Sequence, residues 1–189
     1  MINNIIPEHC SSEINNEEFV FGNSSGKYIR YNLNSISNSV NFGTNKDFTI
    51  ETVARMTQSP NSWAVTFVNT SSWQNGCMMI QFNRNGNRFS LHWNGVCEEG
   101  FNTYHDDYFD YKPFHLALTR RGSVINGWVN GVKEFEINSN SGNANFDLSN
   151  AFFVGHNAVD GGYFNGNIKW LKISNTCKYT ENFDATGLL

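Results

Sequence analysis

Between Cys97 and Tyr111 the chain reads CEEGFNTYHDDYFDY, which sets Glu98, Glu99, Asp106, Asp107 and Asp110 among Tyr104, Tyr108 and Tyr111. Carboxylates and carbonyls on a loop are hard oxygen ligands of the kind Ca²⁺ takes, and tyrosine rings offer flat apolar faces to sugar C–H groups. The mixture suits a carbohydrate site, with the three tyrosines as stacking residues and Asp106, Asp107 and Asp110 as metal ligands. It equally suits a solvated loop whose tyrosines cover a sheet edge, or a protein-contact surface, where tyrosine is favoured. A second loop, GHNAVDGGYF at Gly155–Phe164, adds Asn157 and Asp160 as candidate Ca²⁺ ligands. Alone it falls short of the roughly 6–8 oxygens calcium takes, and its paired glycines would serve a tight turn as readily as a ligand.

Other chemistry finds less support. There is no Gly-x-Ser-x-Gly elbow, no His-Glu-x-x-His pair and no phosphate-binding loop. Glu134 and Glu136 share one side of a strand, but Ile137-Asn138-Ser139 follow, so the pair reads as a solvated strand face. His115 and His156 stand alone and are expected to be packed or hydrogen-bonded rather than metal-bound. Cys10, Cys77, Cys97 and Cys177 form no Cys-x-x-Cys motif. Free thiols are expected, with a Cys77–Cys97 bridge as the alternative.

These loops need a scaffold, and the composition points to strands. The chain has 189 residues, 39% hydrophobic and 15% aromatic, enough for one core with large rings between layers. About thirty asparagines and 16 glycines supply turns nearly everywhere. The net charge is -4 without a basic cluster, which argues against nucleic acid as a partner. No apolar run reaches the roughly 18 residues of a membrane span, and the start MINNIIPEHC lacks the features of a secretion signal. No membrane partner is expected.

Asn-Gly and similar turn signals separate short β-rich runs, which predicts an all-β protein with strands near 27–33, 47–57, 63–69, 77–83, 88–93, 114–120, 123–129, 132–137, 151–155 and 164–174. In MMIQFNRNGNRFSLHW the turn Asn85-Gly86 brings Met78, Ile80 and Phe82 opposite Trp93, Leu91 and Phe89. The other face carries Met79, Gln81, Asn83, Arg88, Ser90 and His92. Of these, Gln81, Asn83, Arg88 and His92 are candidate ligand-binding residues if the face is a binding floor. Phe48, Ile50, Thr52, Ala54 and Met56 alternate with Thr49, Glu51, Val53 and Arg55, one side being apolar enough to bury. A hairpin about Arg121-Gly122 would pair Leu118 with Ile125, Phe114 with Val129 and His115 with Trp128, and a bulge is expected where Val132–Ile137 pairs back after Asn130-Gly131. Trp93 is expected in the core, whereas Trp73 and Trp128 are candidates for an exposed stacking platform. Residues 1–18 read as a frayed segment or as an arm that docks through Ile2, Ile5 and Ile6, leaving 19–189 as the domain.

Three ordered segments, DFTIETVARM, FHLALTRRGSVINGWVNGV and FFVGHNAVDGGYFNGNIKWLKIS, resemble the laminin-G-like branch of the concanavalin A-like lectin/glucanase superfamily. The tail Lys178-Tyr-Thr-Glu-Asn-Phe183 is similar to that of bacterial and phage versions. The resemblance implies a jelly-roll sandwich of two antiparallel sheets, with ligands at the concave sheet or its loops. Val53 stands where the family often has Trp, and Lys169 where Asp is common. The glucan-cleaving branch carries a Glu-x-Asp-x-(x)-Glu strand that this chain lacks. The expected role is therefore non-catalytic recognition or adhesion, with glycan or a surface protein as partner, on a virion or extracellular surface. A virion decoration or assembly protein, acting through self-association or virion neighbours, is the alternative, and a β-glucan hydrolase comes third.

Overall fold

Alternating apolar residues broken by Asn-Gly and Gly-Ser turns fold this chain into antiparallel strands. The computed structural model describes residues 9–10, 13–15, 18–21, 29–32, 41–43, 45–56, 64–69, 78–83, 88–93, 96–99, 112–138, 146–147, 151–155, 164 and 166–189. In chain order the strands are β1 (His9–Cys10), β2 (Glu13–Asn15), β3 (Glu18–Phe21), β4 (Ile29–Asn32), β5 (Asn41–Gly43) and β6 (Phe48–Met56). Next come β7 (Ala64–Asn69), β8 (Met78–Asn83), β9 (Arg88–Trp93), β10 (Val96–Glu99) and β11 (Phe114–Arg121). The last are β12 (Val124–Val129), β13 (Val132–Asn138), β14 (Phe146–Asp147), β15 (Ala151–Val154) and β16 (Gly166–Ser174).

One seven-stranded sheet runs β1-β4-β15-β7-β8-β9-β10, and a second runs β13-β12-β11-β6-β16-β3-β2. Strands β14 and β5 form a two-stranded ribbon. All pairings are antiparallel. The arrangement is all-β and consistent with a jelly-roll or β-sandwich fold.

The β8–β9 hairpin has the expected register, with Met78 opposite Trp93, Ile80 opposite Leu91 and Phe82 opposite Phe89, and Leu91 is fully buried. It belongs to the first sheet. The β11–β12 hairpin departs by two residues: Leu116 faces Val129, Ala117 faces Trp128 and Arg121 faces Val124. Its turn is Gly122-Ser123, with Gly122 at φ 59, because a type II′ turn puts the glycine first. A two-residue shift keeps every side chain on its face, so His115 and Trp128 still share one. The expected bulge lies in the β12–β13 pairing, where Gly127 faces Phe135 and Trp128 faces Lys133, so that Glu134 of β13 is the extra residue. Within residues 1–18 the described pieces are paired, β1 with β4 and β2 with β3. Pairing satisfies backbone groups that a frayed chain would leave to water.

The second sheet buries both faces of its central strands. Phe48, Ile50, Ala54 and Met56 of β6, Phe114, Leu116 and Leu118 of β11, Ile125 of β12 and Ile173 of β16 form its apolar side. On the other side Thr49, Glu51, Val53, His115, Thr119 and Trp128 are buried as well. What covers them is the tail after β16.

Candidate functional site

The tail from Asn175 to Leu188 lies across the polar side of the second sheet as a strap. Thr49 Oγ1 donates to Thr176 O at 2.8 Å and accepts from Lys178 N at 3.0 Å. Thr119 Oγ1 donates to Tyr179 O at 3.2 Å and accepts from Trp128 Nε1 at 2.8 Å. Farther along, Phe183 N donates to Gly131 O at 2.9 Å, and Lys133 N donates to Asn182 Oδ1 at 2.9 Å. Gly131 is required there: its φ is 81, and a Cβ would overlap the Phe183 carbonyl. Tyr179 and Phe183 stack on each other at 3.8 Å, with Trp128 at 6.4 and 5.9 Å from them.

Beneath the strap lies a buried carboxylate. Glu51, 2% exposed, accepts from His115 Nε2 at 3.2 Å and Tyr179 OH at 2.8 Å on one oxygen, and pairs with Lys178 Nζ on the other. A carboxylate only accepts, so His115 Nε2 carries the hydrogen. Burial by itself would raise the Glu51 pKa. Hydrogen bonds from His115, Lys178 and Tyr179, with the charge of Lys178, outweigh that and hold it at about 2 against an ordinary 4.5. The Tyr179 hydroxyl is pushed the other way, by burial and by its bond to Glu51. Burial also raises the Cys177 thiol, which is a free cysteine. All acceptor capacity of Glu51 that the site shows is turned toward neighbouring side chains, so the cluster closes the strap onto the sheet rather than presenting an acid to solvent.

The expected site residues separate accordingly. Trp128 is not an exposed platform: it is fully buried, because the strap roofs the face on which alternation places it. Gln81, Asn83, Arg88 and His92 lie on the adjacent strands β8 and β9, where Met79 pairs with His92 and Asn83 with Arg88, at positions alternating with buried Leu91. Tyr104, Tyr108, Tyr111, Asp106, Asp107, Asp110, Asn157, Asp160, Trp73 and His156 lie outside the described residues. Among the described residues, no group of three or more His, Cys, Asp or Glu could hold a metal ion. Glu136 is solvated, paired with Lys133 at 2.7 Å, and His115 is packed and hydrogen-bonded as expected. Lys169, at the family's common Asp position, is exposed and donates to Leu189 O at 2.8 Å. Glu51 and the strap were missed as a unit. The signal was the polar residue midway along β6 together with the Lys178–Phe183 motif, whose meeting spans 127 residues of sequence.

A strand-rich antiparallel domain strapped by its own tail is consistent with the jelly-roll or β-sandwich class of fold. A family model described as the concanavalin A-like lectin/glucanases superfamily, laminin G type, matches residues 21–181, and the chain belongs to that family. No curated protein matches it. Among solved structures it is similar to the receptor binding domain of botulinum neurotoxin D, with TM-score 0.67, 16% identity, and coverage of 89% of this chain and 43% of that one. Mouse laminin alpha1 chain domains LG4-5 give TM-score 0.64 at 10% identity, covering 89% and 44%. Domain 4 of AbnA, a GH43 extracellular arabinanase from Geobacillus stearothermophilus in complex with arabinotriose, gives TM-score 0.61 at 17% identity, covering 85% and 71%. The chain thus spans less than half of the neurotoxin and laminin chains it resembles.

Proposed function

We propose that this domain is a non-catalytic recognition module that binds glycan on the outer face of the sheet carrying β8 and β9, with the loops around Tyr104–Tyr111 and Gly155–Phe164 at its rim. The observation that carries the choice of sheet is the strap. On the second sheet, the central strands bury apolar residues on one side, and on the other their described residues are roofed by the tail through Thr176, Lys178, Tyr179 and Phe183, which takes up the face a ligand would need. The first sheet keeps the positions of Gln81, Asn83, Arg88 and His92, whose hydrogen-bonding groups suit sugar hydroxyls. Two similar structures support the ligand class by analogy. The arabinanase domain is in complex with arabinotriose, and a botulinum neurotoxin D ligand binding domain is in complex with N-acetylneuraminic acid.

A jelly-roll sandwich with this sheet as the concave one is the finer architecture under this reading. Asp106, Asp107, Asp110, Asn157 and Asp160 are the proposed Ca²⁺ ligands, and an extracellular or virion surface is the proposed setting, the latter from the resemblance of the Lys178–Phe183 tail alone. A glycan array probed with and without EDTA tests this reading. Binding to a defined glycan group, weakened by Tyr104→Ala or Tyr108→Ala, is expected. Absence of binding across diverse glycans would count against it, and binding indifferent to EDTA would remove the metal.

A further inference from the structure

The buried cation on β11 supports an inference that does not rest on the recognition reading. Arg120 follows Leu116 and Leu118 on the apolar side of the sheet and is fully buried. Among the described residues its guanidinium meets carbonyls at the end of β5 and just before β6. Nη2 donates to Phe42 O at 2.6 Å, Nη1 to Gly43 O at 3.0 Å, and Nε to Lys46 O at 2.7 Å. The Phe48 ring centre lies 5.1 Å from the guanidinium carbon. The neighbouring Asp47 uses its Oδ1 to accept from Gly122 N at 2.8 Å, which ties the same turn to the far end of β11.

Three main-chain carbonyls converging from a single turn make the kind of oxygen cradle that hard cations occupy. A guanidinium reaches the same oxygens with a fixed planar fork of donors and stays charged when buried. We propose that the Phe42–Lys46 turn is a cation cradle whose occupant is the chain's own Arg120. This end of the domain then holds its shape without a metal ion, and a vacated cradle takes up an external guanidinium ion. A lysine cannot replace the fork, because one ammonium cannot span three carbonyls in these directions.

Thermal unfolding of the full chain tests this with Arg120→Met, Arg120→Ala and Arg120→Lys, each with and without millimolar methylguanidinium. Removing the three charge-assisted hydrogen bonds of the guanidinium should lower the melting temperature of Arg120→Met and Arg120→Ala by roughly 5–10 °C. Methylguanidinium should restore part of the loss in Arg120→Ala, where the space is open, and leave wild type unmoved. Amide exchange at Lys46, whose N–H donates to Phe42 O at 3.0 Å, should be slow in wild type with or without EDTA. A wild-type melting temperature for Arg120→Met, no response of Arg120→Ala to methylguanidinium, or loosening of the Lys46 amide by EDTA would each overturn the proposal. Should Arg120→Ala fail to fold, Arg120→Lys decides: a lowered melting temperature supports the fork, and wild-type stability overturns it.

Discussion

Two charged groups are buried in the β6–β11 region of one sheet, on opposite faces, and they are satisfied by different kinds of partner. Glu51 lies under the strap and is met by three side chains, His115, Lys178 and Tyr179. Arg120 lies on the apolar side and, among the described residues, donates to three main-chain carbonyls. A side-chain shell can be dismantled one partner at a time, so the strap's hold should weaken in steps. Backbone carbonyls cannot be removed by a side-chain substitution, so these contacts are changed most directly at Arg120 itself, whose pKa burial pulls down to about 10 with partial opposition from Asp47, leaving it charged at neutral pH. The strap is thus an adjustable closure and the turn a fixed one.

The most damaging change at the adjustable site is Glu51→Ala. It leaves Lys178 and His115 without their buried counterpart, and should cost about 3–5 kcal/mol in urea unfolding at pH 7. Retention of wild-type stability would mean that the strap is held by its aromatic stack alone.

Glu51→Gln isolates the charge. The folded value of Glu51, about 2, lies below its ordinary 4.5, so its stabilisation is complete above about 4.5 and is lost as pH falls toward 2. Wild type should exceed the variant by up to about 3 kcal/mol at neutral pH, with the gap closing across that window. A gap that stays constant with pH would show that shape rather than ionisation matters. No such acid loss is expected at the Arg120 turn.

A single-partner change, Tyr179→Phe, removes one hydrogen bond to an ionised group while keeping the Phe183 stack. It should cost about 1.5–3 kcal/mol, visible as a lower urea midpoint with an unchanged slope. The smallest effect belongs to Lys133→Ala, whose partner Glu136 is 55% exposed. It should move stability by less than about 0.5 kcal/mol, which sets the floor against which the buried partners are judged.

Local rules made the strands legible. Asn85-Gly86 and the flanking alternation specified the β8–β9 register, and β6, β11, β12 and β16 fall where β-rich runs lie. Short polar pieces such as Glu13–Asn15 and Phe146–Asp147 carry too few side chains for a period to show, so strands there went unread. The largest gap concerns burial. Alternation marks Thr49, Glu51, Val53, His115 and Trp128 as the non-core side of their strands, which made Trp128 look exposed. Only the distant tail, through Lys178, Tyr179 and Phe183, turns that side into an interior. The Arg120 cradle is illegible for a related reason: its partners are backbone atoms, and carbonyls have no letter in a sequence. For the proposed ligand site, residue types in β8, β9 and the acidic tyrosine loop suggest sugar chemistry, but spacing does not encode whether long-range pairing brings them together.

The proposed recognition face is the sheet of β8 and β9 and not the strapped sheet. Its most direct measurement is the affinity of the full chain for its best array glycan, compared among wild type, Arg88→Ala, His92→Ala and Lys172→Ala. Lys172 lies on the strapped side of β16, 4.1 Å from the Trp170 ring centre. Weakening of at least about tenfold, or 1.4 kcal/mol, by Arg88→Ala or His92→Ala with Lys172→Ala unchanged is the predicted result. Loss confined to Lys172→Ala, with both hairpin variants binding as wild type, would contradict it.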